Sequence, residues 1–293
     1  MHLVVGSTGL VGGTICRLMA GRGLATRALV RTGSSPERTA PLAKLSLETV
    51  EGDLKDRASI AAALAGVDTV ITTASSTASR RGEDSLQSVD LQGQLDLVDA
   101  ARSAGVRRFV YLSVSTGIAG DSPLMLAKRA VERRVMDSGM TWTVLRPSFF
   151  MEVWFSPHLG FDIANGRVRI YGTGESPASW ISLADVAAFA VESLSNPAAN
   201  DAALELGGPE ALSAMDVVRM CETMSGRRFE IEKVPEAALQ AQKDAATDPM
   251  GKTFASLMLA CARGDVIDMR RTLEAFPVRL TSVRDHIQRT LAS

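Results

Sequence analysis

Cysteine, histidine and tyrosine are all scarce in this chain: three, three and two residues among 293. Cys16, Cys221 and Cys261 lie far apart, with no metal-ligand spacing, and an odd number cannot all pair. Neither a metal site nor a disulfide framework is therefore expected. That usage suits a reducing cytoplasm. No sign of charge dominates either. Lys and Arg total 32 against 33 Asp and Glu, a net charge of −1 with no basic block, which argues against a nucleic-acid partner. No apolar run approaches the ~20 residues of a membrane span. The apolar start runs into glycines without a basic flank, and reads as a first strand instead of a signal peptide.

What is there is the composition of an ordinary globular protein, 46% hydrophobic and 22% charged. Apolar runs alternate with helical patterns through the first half. "HLVV" (2–5), "TRALV" (26–30), "LETVE" (47–51), "DTVITT" (68–73), "RRFVYLS" (107–113) and "WTVLR" (142–146) predict six strands. The clearest helix spans 91–105, with Leu91, Leu95, Val98 and Ala101 on one stripe and Gly105 at its end. This alternation calls for an α/β fold, a Rossmann-type doubly wound parallel sheet covered on both faces. After Pro147 the rhythm breaks. Residues 148–166 are aromatic and irregular, "RVRIYG" is strand-like, 182–194 is a helix, and "RRFEIEKV" (227–234) is one more strand candidate. The expected division is a nucleotide-binding domain at 1–150, with 178–208 returning to it. A smaller C-terminal α/β lobe from 151–177 and 209–293 would hold the substrate.

The stretch "LVVGSTGLVGG" (3–13) joins the first strand to the first helix. Its glycines fall at 6, 9 and 12, spaced by three and three, where the common dinucleotide fingerprint has them at relative positions one, three and six. Gly6 permits the tight turn, Gly9 lets backbone approach a pyrophosphate, and Gly12 allows close helix packing. The whole turn (Gly6, Ser7, Thr8, Gly9, Leu10, Val11 and Gly12) is then a cofactor-binding candidate, with helix N–H groups turned to phosphate. The second strand decides which dinucleotide. An NAD site places an acid at that strand's end, but here "TRALVRTGSS" supplies Arg31, with no acid until Glu37. A guanidinium there pairs with a 2′-phosphate, helped by Thr32, Ser34 or Ser35, with Arg38 a further cation. NADP(H) is expected over NAD(H).

These pieces resemble an atypical short-chain dehydrogenase/reductase of the NmrA-like, NAD(P)H-binding group. The resemblance rests on "GSTGLVG", "LVR", "EGDLKD" (51–56), "AGVRRFVYLSVSTG" (104–117), "AKRAVERRVMDSGMTWTVLRPSFFME" (127–152) and "WISLADVAAFAV" (180–191), in the family order. It implies that Asp53 and Leu54 lie by the adenine, that Thr73, Ala74 and Ser75 line the cofactor, and that Pro147, Phe149 and Phe150 pass near the nicotinamide. Members of the wider family catalyse with a Ser and a Tyr-x-x-x-Lys on the next helix. Ser115 matches the Ser and Lys128 the Lys, but Leu124 stands where the Tyr belongs. Tyr111 and Tyr171 are not at that spacing. Lys128 can still hold the nicotinamide ribose, and a desolvated lysine can serve as the acid/base itself.

Beyond the sixth strand, Phe150, Met151, Trp154 and Phe155 are the substrate-contact candidates, with core packing an equal explanation for aromatics at this density. His158 is a candidate proton donor in the same segment. Asp185 reads as a structural carboxylate near a helix start. The resemblance implies an NADPH-dependent oxidoreductase passing hydride to an apolar, aromatic, quinone-like or conjugated acceptor, with the proton from Lys128, His158 or water. The competing reading is a non-catalytic NAD(P) sensor that binds a protein partner. A third is an isomerase or lyase that keeps its cofactor bound.

Overall fold

Leu3, Val4 and Val5 are almost wholly buried, because the first strand lies in the middle of the main sheet with a neighbour on each side. The computed structural model describes residues 1–79, 81–118 and 120–292. Its elements alternate as β1 (His2–Val5), α1 (Leu10–Gly21), β2 (Thr26–Val30), α2 (Pro36–Ala43), β3 (Glu48–Glu51) and α3 (Arg57–Ala63). They continue with β4 (Thr69–Thr72), α4 (Gln94–Ser103), β5 (Arg108–Leu112), α5 (Pro123–Met136) and β6 (Thr141–Pro147). All six expected strands are present, each within a residue or so of its predicted limits. The seven-stranded sheet runs β3-β2-β1-β4-β5-β6 and ends on the strand Ala202–Leu206. From β3 to β6 every neighbouring pair is parallel, with His2 opposite both Thr26 and Thr69. This is the Rossmann-type α/β arrangement.

The seventh strand was not anticipated. "AALEL" mixes weak apolar residues with an acid, and four of its five residues are only half buried. An edge strand is sheltered on one side only, so its pattern is faint. The predicted helix at 91–105 is α4, but it is preceded by a π-helical stretch, Leu86–Gly93. A Cβ on Gly93 would stand 2.8 Å from Ser88 O and 2.9 Å from the Leu54 Cβ, so only glycine lets this stretch pass Leu54 so closely.

The chain divides into two compact units. The first comprises 1–113, 124–145 and 186–204; the second comprises 114–123, 146–185 and 205–293. The first is built on a core of Leu3, Val70, Leu97, Val98, Phe109, Val131 and Val144, all fully buried. Each such side chain contributes roughly 1.5–3 kcal/mol by leaving water. The second carries a three-stranded sheet in which Arg167–Tyr171 lies between Phe161–Asp162 and Glu230–Val234. Its longer helices are Ala214–Ser225, Glu236–Ala245, Pro249–Arg263 and Val283–Ala292. No helix among the described residues is long and apolar enough to cross a membrane.

Within the first unit, β1 has β2 on one side and β4 on the other. Connections leave these strands toward opposite faces of the sheet, which opens a crevice at their carboxyl ends. That crevice is where the glycine turn lies.

Candidate functional site

Gly6 ends β1 at φ +85, a conformation that strongly favours glycine, and a Cβ there would come within 2.8 Å of Ala74 N and Thr73 Oγ1. The turns after β1 and β4 therefore meet at Gly6. Gly12 is more tightly confined: its Cβ would stand 2.2 Å from Gly6 O. Gly9 differs from both, since an added Cβ meets only Gly6 O, at 3.2 Å. Gly9 is the N-cap of α1, extended, with no side-chain cap and no acid in the first turn. Among the described residues, the first N–H groups of α1, at Leu10, Val11 and Gly12, thus have no side-chain cap from the N-cap position. A helix end of this kind receives an anion. Thr8 is half buried. The Ser7 hydroxyl is committed to the fold, donating to Leu29 O at 2.6 Å.

At the end of β2, Arg31 is not a free guanidinium. Its Nη1 donates to Asp84 Oδ2 at 2.5 Å. Asp84, its side chain almost wholly buried, also accepts from Ser79 Oγ at 2.5 Å and from Lys55 Nζ at 2.7 Å. Burial alone would raise this carboxyl's pKa, but the hydrogen bonds from Lys55, Ser79 and Arg31 outweigh it and hold it far below the carboxylate range. Lys55 Nζ also lies 3.8 Å from Asp53 and 3.9 Å from Glu83, so Arg31 and Lys55 stand among three acids. Ser34 Oγ donates to Arg31 O at 2.7 Å, while Ser35 and Arg38 are exposed. Asp53 accepts from the Lys55 backbone N–H at 2.9 Å, and Leu54 is buried beside it. Thr73, Ala74 and Ser75 are half buried, and Thr73 N donates to Val5 O. The sequence reading singled out neither Asp84 nor Lys55, whose charges carry no recognisable spacing relative to Arg31.

Lys128 is buried in the first unit, only 6% exposed. Its Nζ donates to Leu112 O at 3.0 Å and lies 5.0 Å from the centre of the Tyr111 ring. Desolvation lowers its pKa; the charges of Asp90 and Glu132 oppose that, and Arg129 adds to it. Asp90 accepts from Ser76 N and Oγ, whereas its Oδ1 has no partner. Glu132 accepts from Ser113 Oγ and from Arg129. Tyr111 is wholly buried with its hydroxyl unpartnered, and burial pushes its pKa well above the tyrosine range. Leu124, one turn before Lys128, is buried too.

Ser115 belongs to the second unit. Its N–H donates to Pro147 O at 2.9 Å, and its hydroxyl donates to Asp265 Oδ1 at 3.1 Å while accepting from Gly117 N at 3.0 Å. Asp265 is 6% exposed, and its Oδ2 completes no hydrogen bond. Burial raises its pKa above the ordinary aspartate value, nearby Ser148 and Ser115 lower it, and the Glu205 charge raises it again. Asp265 was also missed. It follows a helix end in "ARGDVID", with nothing in the sequence to mark it.

The model of the NmrA-like family matches residues 2–276. This chain belongs to the NmrA-like family. It is 33% identical over 230 residues to the NAD(P)H azoreductase of Xenophilus azovorans, covering 78% of this chain and 74% of that protein. It is 27% identical to the photosystem II assembly factor Ycf39 of Synechocystis, over 98% of this chain and 89% of that one. Among solved structures, the NADPH complex of the Escherichia coli NADPH-dependent quinone oxidoreductase QOR2 superposes with a TM-score of 0.79. It covers 99% of each chain at 21% identity, a likeness of fold.

In this NmrA-like chain the aromatic segment packs largely on itself. Phe149, Met151 and Phe155 are buried, with ring centres 4.9 Å apart for Phe149–Trp154, 4.7 Å for Phe155–Trp180 and 5.0 Å for Phe155–Phe161. Met151 N donates to Ile181 O and Ile181 N to Phe149 O, which fastens the segment to "WIS" (180–182). Phe150 and Trp154 keep partial exposure. His158 is exposed on a short turn, Pro157–Leu159, and is not gathered with Ser115 and Asp265. Asp185 is buried and accepts from Thr281 N and Oγ1, which uses both its oxygens structurally.

Proposed function

We propose that this protein is an NADPH-dependent reductase that passes hydride to an apolar aromatic, quinone-like or conjugated acceptor. The observation that carries this reading is Lys128. A buried ammonium has three N–H donors, and among the described residues it spends them on one main-chain carbonyl. Leaving donors of a buried charge unused costs free energy unless a ligand takes them. The nicotinamide ribose is the ligand that the family resemblance assigns to this lysine.

The residues fit a dinucleotide. A Cβ on Gly9 would stand 3.2 Å from Gly6 O, so glycine keeps the backbone bare there, and the uncapped start of α1 suits a pyrophosphate. Arg31 at the end of β2 supports NADP(H) over NAD(H), because a guanidinium there can pair with a 2′-phosphate. When bound, the reduced nicotinamide supplies two electrons as hydride. Phe150 and Trp154 would contact the acceptor, whose reduced anion is stabilised by delocalisation, so that a dedicated tyrosine acid matters less. Positioning supplies much of the rate. The three free thiols suit a reducing cytoplasm.

Leu124 in place of the family tyrosine, together with the likeness to a photosystem II assembly factor, favours a second reading. In it the chain senses NAD(P) without catalysis and binds a protein partner. NADPH oxidation against a panel of quinones, azo compounds, enones and imines separates the two. The reductase reading expects turnover with at least one class. Tight NADPH binding with no oxidation by any acceptor leaves the sensor.

A further inference from the structure

Asp90 and Gln94 stand one turn apart where the π-helical stretch Leu86–Gly93 passes into α4, and both are fully buried. Both bind the turn after β4. Asp90 Oδ2 accepts from Ser76 N at 2.9 Å and from Ser76 Oγ at 2.6 Å. Gln94 Nε2 donates to Ala74 O at 2.9 Å, and its Oε1 accepts from Thr72 Oγ1 at 3.1 Å. Thr73 and Ala74 of this turn are the residues that meet Gly6, so the two side chains fix it against the glycine turn.

The other oxygen of Asp90 is unspent. Oδ1 is buried without a hydrogen bond among the described residues, and so is the Tyr111 hydroxyl. The Tyr111 ring lies 5.0 Å from Lys128 Nζ, and the Asp90 charge acts on both side chains. Two more charged groups face Lys128, both from its own helix. These are Glu132 and Arg129, and Glu132 is already matched by Arg129 and the Ser113 hydroxyl. Asp90 is the acid facing Lys128 whose hydrogen bonds all come from a neutral residue, Ser76. Burial alone drives an ammonium to give up its proton, and a fixed acid whose charge reaches it opposes that.

We propose that Asp90 is the positioning residue for Lys128: its carboxylate, fixed on Ser76, is the counter-charge that keeps the buried ammonium charged and able to bind the cofactor ribose. This rests on the reading of Lys128 as the ribose-holding residue. One acid then serves two parts of the cofactor cradle. Through Ser76 it holds the turn that lines the dinucleotide, and through its charge it holds Lys128 in the form with three donors. A neutral amine has two, and loses the charge assistance.

Titration of Lys128 tests this without any cofactor. In protein carrying isotopically labelled lysine, the Lys128 side-chain resonance is identified by its absence from Lys128→Met. It should titrate about one pH unit lower, or more, in Asp90→Asn than in wild type, the effect of removing one neighbouring charge. Asp90→Ser, smaller and also neutral, answers the same question should the asparagine variant not fold. An unmoved Lys128 overturns the proposal. NADPH titration gives the second arm. Affinity should fall as pH rises through the Lys128 titration, and Asp90→Asn should bring that fall to lower pH, with a loss of about fivefold at the wild-type midpoint. In a Lys128→Met background the same substitution should change affinity by less than about twofold. Equal losses in both backgrounds would make Asp90 a structural residue of the Ser76 turn, which overturns the proposal and leaves the ribose reading intact. Should Lys128→Met bind NADPH as well as wild type does, the ribose reading falls and the proposal with it.

Discussion

Lys128 donates to the carbonyl of Leu112 at 3.0 Å, which ties the middle of α5 to the last residue of β5. The bond holds the buried ammonium at the carboxyl end of β5. Position and protonation are set by separate causes here. The helix register supplies the position, and desolvation against two nearby acids sets the pKa.

Lys128→Met therefore reports on grip. If the lysine only holds the ribose, NADPH affinity and turnover should fall together, by roughly tenfold to a hundredfold, the loss of one charge-assisted contact. Titration and steady-state kinetics measure both. Unchanged binding with turnover down by ~10²–10⁴-fold would make Lys128 the acid instead. Leu124→Tyr adds a phenol one turn before Lys128, on the same helical face, and weak carbonyl reduction is expected to appear.

Arg31→Ala should weaken NADPH binding by about ten- to a hundredfold while leaving NADH binding nearly unchanged. Fluorescence titration of the two cofactors checks it. Equal losses would mean that Arg31 serves only Asp84.

The two glycines of the turn should behave differently. Gly9→Val puts its Cβ 3.2 Å from Gly6 O, a milder contact than at Gly12, and should abolish cofactor binding at a smaller cost in thermal stability. Gly12→Val collides with Gly6 O and should destabilise the fold itself, by roughly 1–3 kcal/mol or more as overpacking does. Calorimetry of both variants, with and without NADPH, distinguishes the two effects.

Asp84 should make the fold acid-sensitive. Its folded pKa is depressed below its unfolded value of about 3.9, so its contribution is fully present above that value. Stability is lost as pH falls through the lower, folded value. Asp84→Asn should lose roughly 1–3 kcal/mol at neutral pH and show a flatter decline in acid, read from urea unfolding across pH. A decline as steep as the wild type's would place the acid sensitivity elsewhere.

Much of the architecture was legible before any coordinates. The six strands were readable because buried parallel strands are apolar almost throughout, as in Val70–Ile71 and Phe109–Leu112. The strand-turn-helix at 3–13 was readable because the backbone there needs glycine at Gly6 and Gly12 for reasons local to the turn. The edge strand Ala202–Leu206 was not, since half of its surroundings is water. Nor was the π-helical stretch at Leu86–Gly93, whose last glycine passes close to Leu54, far away in sequence.

Charge pairing is where sequence ran out. Arg31 was visible as a cation at the end of β2, but Asp84 is 53 residues away and Ser115 is 150 residues from Asp265. Local patterning reports on propensity and on the side of an element that faces a core, because both act over a few residues. A hydrogen bond between distant residues has no such period. Whether Lys128 is a solvated surface lysine or a buried ammonium, and whether Asp265 is a surface acid or an orphaned carboxyl, depends on what the chain folds over them. Local patterning was enough for the sheet, the glycine turn and the leucine at the family tyrosine's position. Which charges are buried, and with what partners, follows from the folded chain alone, because desolvation is a property of the enclosing volume.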